Sequence, residues 1–373
     1  MSSYQINKFF MIVASIAIIY PYFQLFGNFR GIQPYVSVAL IIALFFSLLL
    51  NTDHRPRYYI FFIPLIFILL NFILNGKLDF LFTRNLFSYL NFCLVFFIFD
   101  IYFQKYKFPR KLFYYSIYLW VIAGVMQLIF GEKIFSDLIL SSTTSSRGAT
   151  SFSTEPSFFG LQLCLLLTIL YLNDKSFKTG NFIILGFIGL ILSMSFIAAY
   201  FYLLSYSVAL IARRELKPRY LIFSLIGILL TIIILIDQRF GDIITGIYKV
   251  GFLDYIQSDS SGSKRFFGAL TPFILSYNNF FFPLIDPIQA INDFNCNICR
   301  NDMKLSSYLG SFLFHYGYLF ILIFIFLFLK QKSIRNVFVM LLLSLLLLVE
   351  IPIAHPLVPL LILSLFKRKL LIE

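Results

Sequence analysis

The sequence NFIILGFIGLILSMSFIAAYFYLLSYSVALIA, residues 181–212, runs for 32 residues without one charged side chain. A single α-helix of that length would measure about 48 Å, whereas the hydrocarbon core of a bilayer is about 30 Å thick. The stretch is therefore either one strongly tilted helix or two helices that meet near Ser193, Met194 and Ser195. This choice matters for the whole chain, because a second crossing here reverses the side of the membrane on which every later loop lies.

Apolar runs of about 17 to 20 residues, long enough to cross a bilayer as a helix, recur from one end of the chain to the other. Of the 373 residues, 60% are hydrophobic and 13% are charged. The runs are continuous, whereas the strands of outer-membrane barrels alternate with a period of two. We therefore predict an all-α polytopic membrane protein with about twelve transmembrane helices. The predicted spans are residues 9–27, 35–50, 58–74, 86–103, 112–130, 157–172, 181–194, 196–212, 219–236, 311–329, 335–350 and 353–366.

The basic residues decide the number of spans. The last apolar stretch has the same ambiguity around residues 351–356, and we interpret both stretches as pairs of helices. With a cytoplasmic N-terminus, 19 of the 30 basic residues then lie on the cytoplasmic side, as the positive-inside rule expects. They are Lys8, Arg55, Arg57, Lys105, Lys107, Arg110, Lys111, Lys175, Lys178, Arg213, Arg214, Lys217, Arg219, Lys330, Lys332, Arg335, Lys367, Arg368 and Lys369. The net charge of +13 therefore indicates membrane orientation, and we expect no nucleic-acid partner.

This topology leaves two long segments on the external side, residues 131–156 and the larger loop 237–310. A connection of over 70 residues is far longer than usual. Its Ile, Tyr, Val and Phe residues favour short amphipathic helices at the membrane surface, which would form a lid. No repeat and no low-complexity linker divides the chain, so we predict a single integral membrane domain over residues 1–373.

The first external loop ends in the sequence SSRGATSFSTEPSFFG, residues 145–160. Pro156 suits the first position of a helix, because its missing N–H has no partner there. Glu155 or Thr154 is then the natural N-cap, and the Glu155 carboxylate would lie at the positive end of the helix dipole.

Two interpretations of this loop stay open. On the first, the motif only starts a transmembrane helix and Arg147 is a solvated loop charge. A second cation-bearing loop, SSGSKRF at residues 260–266, favours the other interpretation. In that interpretation, the two loops together provide a site for an anionic group on the external side.

Three stretches resemble motifs of a known family. They are Arg147 with the following TSFSTEPSFFG, Arg265 within SGSKR, and SSYLGSFLFHYGYLF at residues 306–320. Together with the order of spans and the two external loops, they resemble the bacterial O-antigen and capsular polysaccharide polymerases of the Wzy family, and more distantly the O-antigen ligases. EPSFFG is the most specific of the motifs. One departure is His315, because such polymerases often carry an acidic residue in the stretch that matches residues 314–317.

The resemblance implies a membrane-embedded, metal-independent glycosyltransferase of the C-type fold, without a cofactor and without a nucleotide sugar. Such an enzyme joins undecaprenyl-diphosphate-linked oligosaccharides, which serve as both donor and acceptor. It works on the periplasmic face of the bacterial inner membrane and makes O-antigen or a similar surface polysaccharide, a component of lipopolysaccharide. Membrane lipids and a chain-length regulator are the further partners that it implies.

The chemistry of this reaction selects candidate residues. Arg147 and Arg265 are the candidates for the diphosphate, because a guanidinium binds phosphate oxygens in a bidentate way. Glu155 and His315 are the candidate bases for the attacking hydroxyl. Glu155 is equally suited to orient Arg147 through a salt bridge, and His315 to a hydrogen-bonded helix interface. The external side has three further cations, which either bind the substrate or have no role. They are Arg239, Lys264 and Arg300.

The rival from another class is a flippase or transporter of lipid-linked oligosaccharides. Transporters place polar groups near the bilayer midplane on broken helices, whereas the polar clusters here lie on one external face. Within the transferases, an O-antigen or protein O-glycan ligase differs only in its acceptor and stays an alternative. The sequence CNIC, with Cys296 and Cys299, lacks a second ligand pair for zinc and is suited to a local disulfide.

Overall fold

The computed structural model describes residues 3–25, 32–50, 80–139, 148–215, 307–317, 333–348 and 354–367, with isolated positions between these ranges. Within them the chain is helical, and these ranges contain no β-strand. The helices are α1 (Ser3–Ile19), α2 (Tyr35–Leu50), α3 (Phe80–Lys105), α4 (Arg110–Phe130), α5 (Pro156–Asn173), α6 (Thr179–Ser193), α7 (Phe196–Arg213), α8 (Tyr308–Tyr316), α9 (Ile334–Leu348) and α10 (Leu357–Lys367), with a short 3-10 helix at Glu132–Phe135. The all-α prediction is confirmed for this part of the chain.

Three helical segments are long and apolar enough to cross a membrane. They are Leu86–Lys105, Arg110–Phe130 and Pro156–Asn173, which agree with the predicted spans 86–103, 112–130 and 157–172. Six further helices are apolar and shorter. The chain is thus a membrane protein with helical spans. The predicted spans 58–74 and 219–236 lie outside the described residues, apart from two isolated helical positions in the first.

The opening stretch forms two helices. α6 ends at Ser193, Met194 adopts a left-handed conformation with φ 44°, and Ser195 caps α7 by accepting the Ala198 N–H at 3.4 Å. The helices then run antiparallel, since the Phe182 and Tyr206 rings lie 5.2 Å apart while Tyr202 packs on the backbone nearer the turn. The prediction of a helix pair is confirmed here.

Three predicted boundaries differ from the structure. α1 ends at Ile19 rather than at residue 27, because Pro21 disfavours helical geometry in the residue before it. α10 begins at Leu357, after a proline, rather than at residue 353. The predicted span 311–329 is interrupted, because α8 ends at Tyr316 and Gly317 has φ 57° and ψ −150°, a conformation almost restricted to glycine.

The chain groups into two compact units, each described by itself below. The first consists of Met1–Tyr59, Leu90–Leu235 and Pro356–Leu370, and the second of Ile60–Tyr89, Ile236–His355 and Leu371–Glu373. In the first unit α5 is the central helix, and every residue of it except Phe158 and Asn173 is buried. It packs closely on α7 at Gly160, where an added Cβ would lie 2.2 Å from the Ala198 Cβ. Such small residues let neighbouring helices approach without a cavity.

The helices of the first unit bring two sets of loops to opposite ends, because α4, α5, α6 and α7 pack as successive antiparallel neighbours. At one end, here called the basic end, lie the α3–α4 and α5–α6 connections and the C-termini of α7 and α10. The Arg213 guanidinium there donates to the carbonyls of Phe177 (3.1 Å) and Asp174. At the other end, here called the Glu155 end, the Ala149 N–H donates to the Leu192 carbonyl at 2.7 Å. The side of the membrane that each end faces stays a prediction.

Candidate functional site

The segment that precedes α5, residues 148–155, is a buried loop rich in Ser and Thr. Its main anchor is Gln127 of α4, which is 4% exposed. The Gln127 Oε1 accepts the Ser151 N–H at 2.6 Å, and its Nε2 donates to the Thr150 hydroxyl at 3.0 Å. The Ser151 hydroxyl donates to the Trp120 carbonyl at 2.6 Å. These hydrogen bonds between neutral groups attach the loop to α4. Because the groups are buried, the hydrogen bonds are stronger than they would be in water.

Two backbone positions in the loop are constrained. Ser151 has φ 52°, a left-handed conformation that is uncommon for residues other than glycine. Gly148 lies directly against the end of α6, because a Cβ added there would be 2.3 Å from the Ser193 carbonyl oxygen. The surrounding hydrogen bonds therefore hold a conformation that the isolated segment would rarely adopt.

Glu155, one of the two residues predicted for this position, is the N-cap of α5, with Pro156 at the first helical position. Its backbone is extended, and its carbonyl accepts the Phe159 N–H at 3.1 Å and the Ser153 hydroxyl at 2.6 Å. Its carboxylate makes no capping hydrogen bond and instead accepts the Ser157 hydroxyl at 3.4 Å. The half-buried carboxylate thus lies at the positive end of the α5 dipole, outside the first turn.

Aromatic rings line the inner side of the loop. The Trp120 ring stacks on Phe159 at 6.1 Å and on Tyr20 at 6.0 Å, with interplanar angles of 9° and 7°. Phe152 of the loop packs edge-on against Trp120 at 5.6 Å. Stacked and edge-to-face pairs of this kind stabilise a fixed arrangement beyond the burial of their area.

A tyrosine accompanies the Glu155 carboxylate. Tyr22 lies in the turn after α1, 2% exposed, with its ring 6.2 Å from that of Phe158. Burial raises the pKa of Tyr22, and the negative charge of Glu155 raises that pKa further. The Tyr22 hydroxyl therefore stays protonated over the physiological pH range.

His315 lies in the last turn of α8, in the second unit, and is 7% exposed. Its Nδ1 lies 2.9 Å from the Tyr89 hydroxyl, and the two rings meet edge-on at 5.6 Å. The Tyr89 hydroxyl also lies 3.3 Å from the Ser311 carbonyl. His315 is therefore surrounded as a residue of a buried, hydrogen-bonded helix interface would be. This is the alternative that Sequence analysis gave to a role as catalytic base. Glu155 belongs to the first unit and His315 to the second.

The other candidates fall outside the described residues. These are Arg147, Arg239, Lys264, Arg265 and Arg300, together with the Cys296 and Cys299 pair and the lid loop apart from residues 248–249, 272–273 and 307–310. Cys93 and Cys164 are free thiols buried within α3 and α5. The roles assigned to the arginines therefore stay predictions.

Sequence analysis missed the anchor of the loop. Gln127 is 24 positions from Ser151 and stands in an apolar helix, where a single amide side chain gives no motif. The signal that was available is its place three residues before the end of α4, within a predicted span. A buried amide there requires a hydrogen-bond partner, and the Ser/Thr-rich segment that follows is the nearest source in sequence.

Chemically, the loop presents one fixed carboxylate at the end of a candidate membrane span. A carboxylate held in this way accepts a proton from a hydroxyl or pairs with a cation. No protein-family model, no curated protein and no solved structure matches the chain. The resemblance to the polysaccharide polymerases therefore stays a prediction.

Proposed function

We propose that this chain is a polymerase that joins undecaprenyl-diphosphate-linked repeat units into a surface polysaccharide on the periplasmic face of the bacterial inner membrane. The proposal includes the twelve-span topology and the C-type glycosyltransferase fold. It rests on the motif resemblance and on one structural observation, which is the placement of the Glu155 carboxylate.

Glu155 supports a general-base role because its position is fixed and its setting is specific. The loop that carries it is hydrogen-bonded to α4 and packed on α6, and the carboxylate is half-buried at the mouth of the bundle. A base must lie within hydrogen-bond reach of the proton that it removes, so a rigid mount favours catalysis. A residue that only capped α5 would direct its oxygen atoms to the first-turn N–H groups, which Glu155 does not do.

In the proposed reaction Glu155 takes the proton of the acceptor sugar hydroxyl. The oxygen attacks the anomeric carbon of the donor chain, and the bond from that carbon to the diphosphate oxygen breaks. The diphosphate departs with the electron pair, and Arg147 and Arg265 are the proposed groups that neutralise its developing charge. The donor linkage itself supplies the driving force, so the reaction needs no nucleotide.

The position of one helix break in the first unit favours a transferase over a flippase. A transporter places its binding groups near the midplane, on discontinuous helices. The break at Met194 joins two helices of 15 and 18 residues at the Glu155 end, which is a turn between spans rather than an interruption within one.

The products of a deletion strain test this proposal. A polymerase acts after export and before final attachment, so a strain without it should attach a single repeat unit and lose the ladder of longer chains. A ligase defect should leave long glycan on the lipid carrier. A flippase defect should retain single repeats on the cytoplasmic face. We expect the single attached repeat, and long carrier-linked chains or cytoplasmic repeats would refute the polymerase assignment.

A further inference from the structure

The basic end of the first unit contains a cavity that the proposed reaction does not use. It has a volume of about 540 Å³ and lies between the ends of α3, α4, α5 and α10. This volume is within the range of ligand sites, roughly 300–1,000 Å³. Three of these helices contain the segments that are long and apolar enough to span a membrane. The cavity is therefore at the boundary between the apolar bundle and its polar end.

Cations dominate the rim of the cavity. Lys107, Arg110 and Lys367 line it and are exposed, against one carboxylate, that of Asp174. The Asp174 Oδ1 already accepts the N–H and the hydroxyl of Ser176, at 2.9 and 2.7 Å. The Asp174 carboxylate is thus hydrogen-bonded within its own turn, whereas all three cations line the cavity.

A helix terminus adds to this positive potential. Arg110 is the first residue of α4, a helix of 21 residues with no acidic residue in its first turn and no side-chain cap. The backbone N–H groups in the first turn of α4 and the dipole of this helix favour an anion at that end. The neighbouring cavity of about 270 Å³ shares Arg110 and adds Lys111, so the positive surface continues along the start of α4.

The inner wall is aromatic rather than polar. Phe103, Tyr106 and Phe108 line the cavity, and the Lys367 Nζ lies 4.7 Å from the centre of the Phe103 ring. Such rings are typical of the membrane–water interface, where one side of a residue meets acyl chains and the other meets water. A soluble anion gains nothing from these rings, whereas the glycerol and first methylenes of a lipid do.

We propose that this cavity binds the phosphate ester of an anionic membrane lipid, with Arg110 and Lys367 as the main ligands of the phosphate. Basic pockets between helices at the cytoplasmic surface are a recognised form of lipid headgroup site. The general attraction of basic loops to anionic lipid accounts for the charges, but it requires neither a cavity nor an aromatic wall. The inference is independent of the polymerase activity.

Lipid titration of the full chain in uncharged detergent tests this site. Bound lipid per chain is counted by native mass spectrometry with phosphatidylglycerol, with phosphatidylcholine, and with glycerol phosphate as a soluble competitor. We expect Arg110→Gln with Lys367→Gln to weaken phosphatidylglycerol binding by about tenfold or more. The control pair Lys8→Gln with Lys133→Gln removes the same charge at exposed positions outside the cavity. We expect it to change binding by less than about threefold.

A charge-retaining pair separates lost charge from lost folding. Because the attraction of basic residues to an anionic headgroup depends on their charge, Arg110→Lys with Lys367→Arg should keep phosphatidylglycerol binding within about threefold of the unchanged protein. Three results would overturn the proposal. They are equal weakening in the cavity and control pairs, loss of binding in the charge-retaining pair, and displacement of the lipid by an equal concentration of glycerol phosphate, which would make a soluble phosphate the ligand.

Discussion

Different kinds of contact hold the loops in place at the two ends of the first unit. At the Glu155 end, neutral groups buried from water attach the loop to α4, through the hydrogen bonds of Gln127 and Ser151. At the basic end, a charged pair attaches the α5–α6 connection to the end of α7, with the Arg213 side chain 5% exposed and the Glu215 side chain 40% exposed. There the Glu215 carboxylate accepts the hydroxyls of Tyr171 and Thr179 at 2.6 and 2.8 Å, and it lies 3.7 Å from the Arg213 guanidinium.

This difference indicates different tasks. Buried neutral hydrogen bonds are costly to leave unmade, so they allow one geometry only. The Glu215 carboxylate at the basic end is 40% exposed, so its contacts tolerate small shifts and are partly screened by salt. The Glu155 end is therefore suited to holding a reactive group in place, and the basic end to anchoring loops and to contact with lipid.

The largest expected effect is that of Glu155→Gln on chain elongation. The amide keeps the shape of the carboxylate but cannot accept the proton, so we expect the rate to fall by about a hundredfold to ten-thousandfold. The measurement is the turnover of lipid-linked repeats by purified protein, with the amount of folded protein matched by size-exclusion chromatography.

Asp137→Asn is the control for this change, since Asp137 is an exposed acid at the same end of the unit. We expect its rate to stay within about twofold of the unchanged protein. If Glu155 instead only orients Arg147, the glutamine variant would raise KM for the donor and leave kcat nearly unchanged, and the base assignment would fail.

A smaller effect is expected from Gly148→Ala, which tests the rigidity of the loop. The added methyl group would lie 2.3 Å from the Ser193 carbonyl oxygen, so the loop or the end of α6 must move. We expect a loss of about 2 kcal/mol of stability, measured as a lower Tm in detergent. Because a displacement of about 1 Å can cost a hundredfold in rate, elongation should fall by about tenfold or more.

Gly180→Ala provides the comparison at the basic end, because an added Cβ there meets nothing within 4 Å. Alanine is also the better helix former at this position, in the first turn of α6. Its Tm should be equal or slightly higher and its elongation rate unchanged. Equal losses in the two alanine variants would show that the two ends do not differ in rigidity.

The smallest effect in this series is expected from Glu215→Gln. The neutral side chain can still accept one hydroxyl, but it loses the attraction to Arg213, and the carboxylate is 40% exposed. We expect about 1 kcal/mol of lost stability and an elongation rate within about twofold of the unchanged protein. A strong loss of elongation with a normal Tm would place catalytic function at the basic end and contradict the comparison.

The features that sequence predicted correctly are local. Pro156 fixes its own helix position, so the N-cap at Glu155 followed from two adjacent residues. The length of the 32-residue apolar stretch left one tilted helix or two helices open, and the positions of the basic residues selected the pair that breaks at Met194. The positive-inside pattern predicted that the basic loops would share one side, and four of the basic segments do lie at one end of the first unit, although the side of the membrane stays a prediction.

The features that sequence did not predict depend on contacts between distant residues or on single backbone positions. The hydrogen bond between Gln127 and Ser151 joins α4 to the loop before α5 through a buried amide that no local pattern marks. The hydrogen bond between His315 and Tyr89 spans 226 positions. The interruption at Gly317 depends on one φ angle, and a lone glycine in an apolar run does not distinguish a close helix contact from a break.

The most direct test of the account is elongation by the purified chain itself. The protein is given lipid-linked repeat units in EDTA, without nucleotide sugar, and the products are separated by length. Because the diphosphate linkage carries the energy of the reaction, we expect a ladder of longer lipid-linked chains to appear and the free lipid diphosphate to accumulate with it. Repeats that remain single under these conditions, or that lengthen only when a nucleotide sugar or a divalent metal is added, would contradict the proposed function.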